Sequence, residues 1–386
     1  MYNFDEIIER RGTRSAKWGW YAPDVLPLWV ADMDFRSPEP VIQALHRRVE
    51  HGVFGYEFNP ADVKAIIIEY LAARYGWAVK PEAIIFLPTV VSGLNAVCRA
   101  VGAPGDGVLV QTPVYPPFLT APGHFGQTVE AAELVAVRDG AALRYEIDYA
   151  VFKAAITPRT RLFILCNPHN PVGRVFTRAE LEQMADICLK HDLMICADEI
   201  HCDLLFDGHR HLPLATLSPE IADRCITLMA PSKTYNIPGL GCSFAIVSNP
   251  DWRKRLEAAA EGIAGHPTVM GFEAAAAAYR EGGPWLAAAL AYLQANRDYV
   301  ADYVAAHFPG AAVTRPEGTY LSWIDWRETG LTDPYQFLLE EARVALNDGR
   351  TFGQGGAGFT RLNFGCPRAL LDEALERMRA AFARRG

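Results

Sequence analysis

The run Ala230-Pro231-Ser232-Lys233-Thr234-Tyr235-Asn236-Ile237-Pro238-Gly239 lies between two apolar stretches, Cys225 to Met229 and Ser243 to Ser248, that both read as strands. Its lysine is therefore expected at the mouth of a sheet, in a turn rich in small and hydroxyl residues. Most lysines in loops are solvated surface charges. A hydroxyl beside an amine held between two strands also suits a lysine that forms a Schiff base next to a bound phosphate. The choice between the two rests on what the rest of the chain brings to the same edge.

Outward from that turn, strands and helices alternate. Ile84 to Leu87, Gly107 to Gln111, Arg161 to Cys166 and Leu193 to Ala197 read as short apolar strands. Between them the pattern predicts helices from about Val91 to Val101 and, after the capping box Thr177-Arg178-Ala179-Glu180, up to His191. Near-continuous apolar strands separated by helices indicate an α/β fold with a mainly parallel sheet between helices. Upstream, Ser37-Pro38-Glu39-Pro40 reads as a helix start with the serine at the N-cap. Downstream of Pro284 a long helix to about His307, strands at 319–324 and 361–364 and a closing helix at 368–384 suggest a smaller α+β domain. The expected division is an arm of residues 1–35 packing with the small domain, a large domain of 36–283 and a small domain of 284–386.

Composition bounds the function classes. The chain has 386 residues, half of them hydrophobic, which is enough for two cores. Its formal net charge of −8 argues against a general nucleic-acid binder, which needs a basic face. Eight cysteines with no C-x-x-C pair read as reduced, mostly buried thiols. With no signal-peptide pattern at Met1 to Glu6 and no apolar run of membrane-spanning length, the expectation is a soluble cytoplasmic protein.

Five stretches place chemistry near the lysine. Leu87-Pro88-Thr89-Val90-Val91-Ser92-Gly93 is a strand-to-helix junction whose free N–H groups favour a phosphate, although an ordinary helix cap has the same look. Val114-Tyr115-Pro116-Pro117 sets an aromatic ring at a strand's carboxyl end. Asn167-Pro168-His169-Asn170-Pro171 needs its prolines for turning, yet turning does not require its asparagines. Ala197-Asp198-Glu199-Ile200-His201 offers a carboxylate that could pair with a protonated pyridine nitrogen. Asp198, His201, Cys202 and Asp203 match no zinc spacing and would alternate faces on a strand, so no metal is expected. Gly358-Phe359-Thr360-Arg361-Leu362-Asn363 puts an arginine, able to fork onto a carboxylate, on a small-domain strand.

In this order the stretches resemble the pyridoxal 5′-phosphate enzymes built like aspartate aminotransferase, over nearly the whole chain. Trp29-Val30-Ala31-Asp32-Met33-Asp34-Phe35, the Asn-Pro-His-Asn-Pro-Val-Gly run, Asp-Glu-Ile-His at 198 to 201 and Ala-Leu-Asn-Asp-Gly at 345 to 349 resemble more narrowly the cystathionine β-lyase and cysteine C–S lyase branch of MalY/PatB type. The resemblance implies a pyridoxal-phosphate site in which Lys233 is the Schiff-base lysine and later the proton carrier. Asp198 would hold the pyridine nitrogen, Asn170 and His201 would contact the phenolic oxygen, and Tyr115 would stack on the ring. Val90, Val91 and Ser232 would bind phosphate, joined by Tyr56 from the second subunit of a homodimer, while Arg361 would grip the substrate carboxylate.

Two departures stand out. Gly241 lies eight residues after the lysine, where aminotransferases of this kind commonly carry a phosphate-binding arginine, and His201 stands where many have a tyrosine. Both fit the lyase branch. The implied reaction is β-elimination from a sulfur amino acid to pyruvate, ammonia and a thiol, with Tyr115 or Lys233 as candidates for protonating sulfur. An aminotransferase is the nearest alternative, and a pyridoxal-phosphate-binding regulator acting through a partner is the second.

Overall fold

The computed structural model describes residues 2–385. At its centre is a seven-stranded sheet in the order Ile84–Leu87, Ser243–Val247, Cys225–Met229, Met194–Asp198, Thr160–Cys166, Gly107–Thr112 and Thr128–Glu133. The last five run parallel to one another, and Ser243–Val247 runs antiparallel to both its neighbours. The sheet is thus α/β and mainly parallel, as the apolar strands imply.

The inner strands are mostly apolar because both faces are covered. Phe163, Leu165, Ile195 and Ala197 belong to one core, while Leu162, Ile164, Met194 and Cys196 belong to a second core on the opposite face. Successive side chains of a strand point to opposite faces, so each strand feeds both cores. The helix Val90–Val101 sits on the second face. Its Gly93 makes the approach possible, since a Cβ there would stand 3.0 Å from Leu228 Cδ2.

A second sheet has six strands in the order Asn347–Asp348, Phe359–Asn363, Leu321–Asp325, Ala312–Thr314, Ala142–Glu146 and Val135–Asp139. The hairpin at 135–146 joins it by parallel pairing of Val313 and Thr314 with Ala142 and Leu143. It crosses the proposed division at 283/284, which follows chain order and not sheet membership. Leu26–Pro27 of the arm pairs in parallel with Val344–Ala345. The helices Pro250–Ala260 and Val269–Glu281 escape the sequence reading; the first packs on the helix Val90–Val101 and the second against the lysine turn. Among the described residues no helix is long and apolar enough to cross a membrane.

One expected cap is wrong. The helix Glu39–His51 starts where the prolines indicate, but Pro38 is its N-cap residue and no side chain caps it. Ser37 Oγ instead donates to Asn236 O at 2.9 Å. Ser37 stands one residue ahead of the N-cap position and ties the chain to the lysine loop. The Thr177 capping box forms as read, with Thr177 and Glu180 bonded reciprocally.

Candidate active site

The carboxyl ends of the parallel strands lie level, because Cys166 pairs with Asp198 and Asp198 with Leu228. Each strand therefore releases its next loop at the same edge, where open α/β sheets bind ligands. Asp198 ends one strand, Asn170 follows the second, Tyr115 the third and Lys233 the fourth. Together they wall a cavity of about 320 Å³.

Thr89, Val90 and Val91 close one end of this cavity. Thr89 caps the helix through its bond from Ser92 N, whereas Val90 and Val91 precede any intrahelical acceptor for their own N–H groups. Ser232 and Gly241 line the same space. Gly241 has φ of +59°, in the left-handed region, so any side chain there is strained and an arginine would be too. The backbone thus agrees with the missing arginine.

Lys233 occupies a single helical turn, Pro231–Thr234. Its Nζ donates to Ala31 O at 2.6 Å, and Tyr320 Oη donates to the same oxygen at 2.8 Å. Burial, then the Arg361 charge, pulls the Lys233 pKa down to about 8, against the pull of Asp32 and Asp198. Asp198 is buried, and its carboxylate accepts from Ile200 N at 3.1 Å. Loss of water pushes its pKa up to about 7. His201 is also buried, its Nδ1 has no hydrogen-bond partner among the described residues, and burial holds its pKa at about 3, so the ring is neutral. A neutral imidazole can donate or accept beside a ligand oxygen.

Arg361 also lines the cavity. Its Nη1 donates to Asn170 Oδ1 at 2.9 Å, and its Nη2 donates to Trp29 O at 3.0 Å and Asn347 Oδ1 at 2.5 Å. Burial lowers its pKa to about 10, which leaves it charged at neutral pH. Tyr115 lines the cavity, and burial raises its pKa.

The structure therefore gathers Val90, Val91, Tyr115, Asn170 and Asp198 with His201, Ser232, Lys233 and Arg361 around one space. It does not bring Tyr56 there. That side chain is 95% exposed, stacked on Phe58 at 5.9 Å, outside its own chain's cavity. Asn167 has a structural task, accepting from Phe176 N, and His169 is buried against Pro113 O. Ala31, Tyr320 and Asn347 escaped the sequence reading as individual residues. Ala31 and Asn347 lie in stretches that it did single out, and Tyr320 had no signal beyond its place in the expected strand at 319–324, which in the structure starts at Leu321.

These features suit a phosphorylated pyridine aldehyde. An amine already poised to lose its proton, a buried carboxylate with a single N–H partner and an orphaned imidazole nitrogen each leave a valence that such a ligand fills. The free N–H groups of Val90 and Val91 suit its phosphate.

Comparisons with known proteins agree with this geometry. A family model described as aminotransferase class I and II matches residues 23–378. Cystathionine β-lyase PatB of Bacillus subtilis (strain 168) is 40% identical over 99% of this chain and 100% of its own length. Cystalysin from Treponema denticola, whose crystal structure contains a pyridoxal 5′-phosphate cofactor, is 34% identical and superposes with a TM-score of 0.95 over the whole of both chains. The pyridoxal-phosphate-bound C–S lyase from Staphylococcus hominis is 32% identical, with a TM-score of 0.92 over 99% of each chain.

Proposed function

The chain belongs to the aminotransferase class I and II family and, within it, to the cystathionine β-lyase branch, and from that premise we propose that it is a pyridoxal 5′-phosphate-dependent carbon–sulfur lyase. The observation that carries the reading is the convergence of Lys233, Asp198 and Arg361 on one cavity at the sheet's carboxyl edge. Cystathionine or a cysteine S-conjugate would be taken with one water to pyruvate, ammonia and a thiol.

Each residue has a task that its surroundings support. Val90 and Val91 N–H groups and Ser232 would bind the phosphate, Tyr115 would pack on the ring, and Asn170 and His201 would hold its phenolic oxygen. Asp198 would hold a proton at the pyridine nitrogen. Bound there, the cofactor supplies an aldehyde for the substrate amine and a ring that withdraws electrons from Cα. Arg361 binds the substrate carboxylate and so orients the Cα–H bond. Lys233 Nζ, whose pKa burial lowers, takes the Cα proton. The Cβ–S bond then breaks with its electron pair on sulfur, and Tyr115 Oη or Lys233 Nζ supplies the thiol proton.

We further propose a homodimer with shared sites. Among the described residues, the only cationic side chains lining the cavity are Lys233 and Arg361, so no further side-chain cation is at hand for the phosphate. Tyr56 stands exposed with Val53, Phe54 and Phe58, in a patch suited to a second copy that would receive its hydroxyl.

The deciding experiment incubates holoenzyme with cystathionine and a 2-oxo acid. One pyruvate, one ammonia and one thiol per turnover are expected. Transfer of the amino group to the 2-oxo acid with negligible thiol release would make the chain an aminotransferase instead. L-Alanine, which has no leaving group, should at most exchange its Cα proton.

A further inference from the structure

Asn347 and Arg361 are direct cross-strand partners in the pairing of Asn347–Asp348 with Phe359–Asn363, so their side chains share a face. Both line the cavity. Arginine carries five N–H donors and no acceptor. Three of them are engaged here, two on Nη2 to Trp29 O and Asn347 Oδ1 and one on Nη1 to Asn170 Oδ1. The guanidinium presents its adjacent donor pairs as Nε with Nη2 or as Nη1 with Nη2. Because Nη2 is spent, neither pair is free to fork onto a carboxylate. Nε is buried without a partner among the described residues, and its ring neighbour Phe352 stacks 5.0 Å from the guanidinium carbon.

The same donor-only chemistry fixes the amide orientation. Asn347 must turn its oxygen to Arg361, so its Nδ2 points away from the guanidinium. This nitrogen has no acceptor among the described residues and is not sealed from solvent. An uncommitted N–H donor therefore stands beside a cation whose own fork is incomplete. We propose that Asn347 is a substrate-binding residue whose Nδ2 donates to the α-carboxylate alongside Arg361 Nη1. The pair then completes the two-point grip that Arg361 alone does not offer. The inference rests on the proposal that Arg361 receives an α-amino acid, whichever reaction follows.

The test uses holoenzyme and L-alanine, which brings the carboxylate and no leaving group, with binding followed through the cofactor's visible absorption. Asn347→Ala should weaken L-alanine binding about tenfold or more, as expected for a lost hydrogen bond to a charged group. L-Alaninamide, which lacks the anion, should lose much less. Asn347→Asp keeps the side chain's size and replaces the donor with a like charge, so it should bind L-alanine more weakly than Asn347→Ala. A double-mutant cycle separates binding from propping. On an Arg361→Ala background, Asn347→Ala should still cost several-fold. No further loss there would mean that Asn347 only holds the arginine, and the proposal falls. Unchanged or tighter binding by Asn347→Ala alone would show the amide to be displaced by substrate, which also overturns it. An enzyme that binds L-alanine with these variant effects but releases no thiol would refute the lyase reading and leave Asn347 in place.

Discussion

Asp198 and Lys233 are shifted by the same cause in opposite senses, and the behaviour of the cofactor-free protein follows from the two signs. Between pH 4 and about 7 the native Asp198 keeps a proton that the unfolded chain has lost, so its contribution to stability falls as pH rises. Between about 8 and 10.5 the native Lys233 has lost a proton that the unfolded chain still holds, so its contribution rises. Urea unfolding of cofactor-free protein at pH 5 and 7 should show a steeper loss for wild type than for Asp198→Asn. Equal slopes would mean that Asp198 is ionised throughout. The rate at which added pyridoxal 5′-phosphate generates a visible band should rise with a midpoint near pH 8, not near the ordinary lysine value. Borohydride should abolish that band and leave its label on Lys233, and Lys233→Ala should carry none. At this scale the sequence was informative where residue type and chemistry coincide, as for Lys233, Asp198 and Arg361. Asn347 was opaque because an asparagine in a two-residue strand has no local signal. Its meaning comes from register with Arg361, a long-range property.

The stretch Trp29–Phe35 acts as a strap over the lysine. Ala31 O receives Lys233 Nζ, and two asparagines bracket the carbonyls on either side. Asn363 Nδ2 donates to Val30 O and Asp32 O at 2.5 and 2.7 Å. Asn236 accepts from Met33 N and donates to Met33 O and Phe35 O, at 2.8 to 3.0 Å. Farther along, Asp34 meets buried Lys17 at 2.6 Å and Arg10 at 2.5 Å. Burial pushes the Asp34 carboxyl up, but Lys17 and Arg10 outweigh it and hold it below the usual range. Asn236 has φ of +54°, a conformation that asparagine tolerates better than alanine. Asn236→Ala should therefore lose the three strap bonds and add backbone strain, about 3–4 kcal/mol together. Asn236→Gly loses the bonds without the strain and should cost about 1 kcal/mol less. Denaturant midpoints of the two variants measure the difference, and an Ala variant no worse than Gly would remove the strain argument. Strands and helices with strong periodicity were legible, Ile84–Leu87 and the capped helix Arg178–Lys190 among them. The hairpin at 135–146 was not, because its strands are short and partly exposed and lack an apolar run. The strap's path over the lysine depends on bonds spanning some two hundred residues, which no local pattern reports.

For the molecule as a whole, the open question is whether one chain makes a complete site. The mainly parallel sheet was readable because strands covered on both faces become continuous apolar runs. An assembly leaves a weaker trace, here the exposure of Val53, Phe54, Tyr56 and Phe58 in a loop that flanks no cavity residue of its own chain. Paired Val53→Asp and Phe54→Asp changes should yield monomers by sedimentation and weaken cofactor retention. Full retention in monomers would show the site to be complete within one chain. Tyr56→Phe should stay dimeric and bind cofactor about tenfold or more weakly, the scale of a hydrogen bond to a charged phosphate. Mixing subunits decides where the hydroxyl acts. If Tyr56 serves the neighbour, a dimer of Tyr56→Phe with Lys233→Ala contains one site with both defects and one with neither. That second site should recover wild-type cofactor affinity and elimination. If Tyr56 serves its own chain, each site keeps one defect and no wild-type site appears. Titration of the purified mixed dimer with pyridoxal 5′-phosphate separates the outcomes, because only action across the interface produces a tight-binding half.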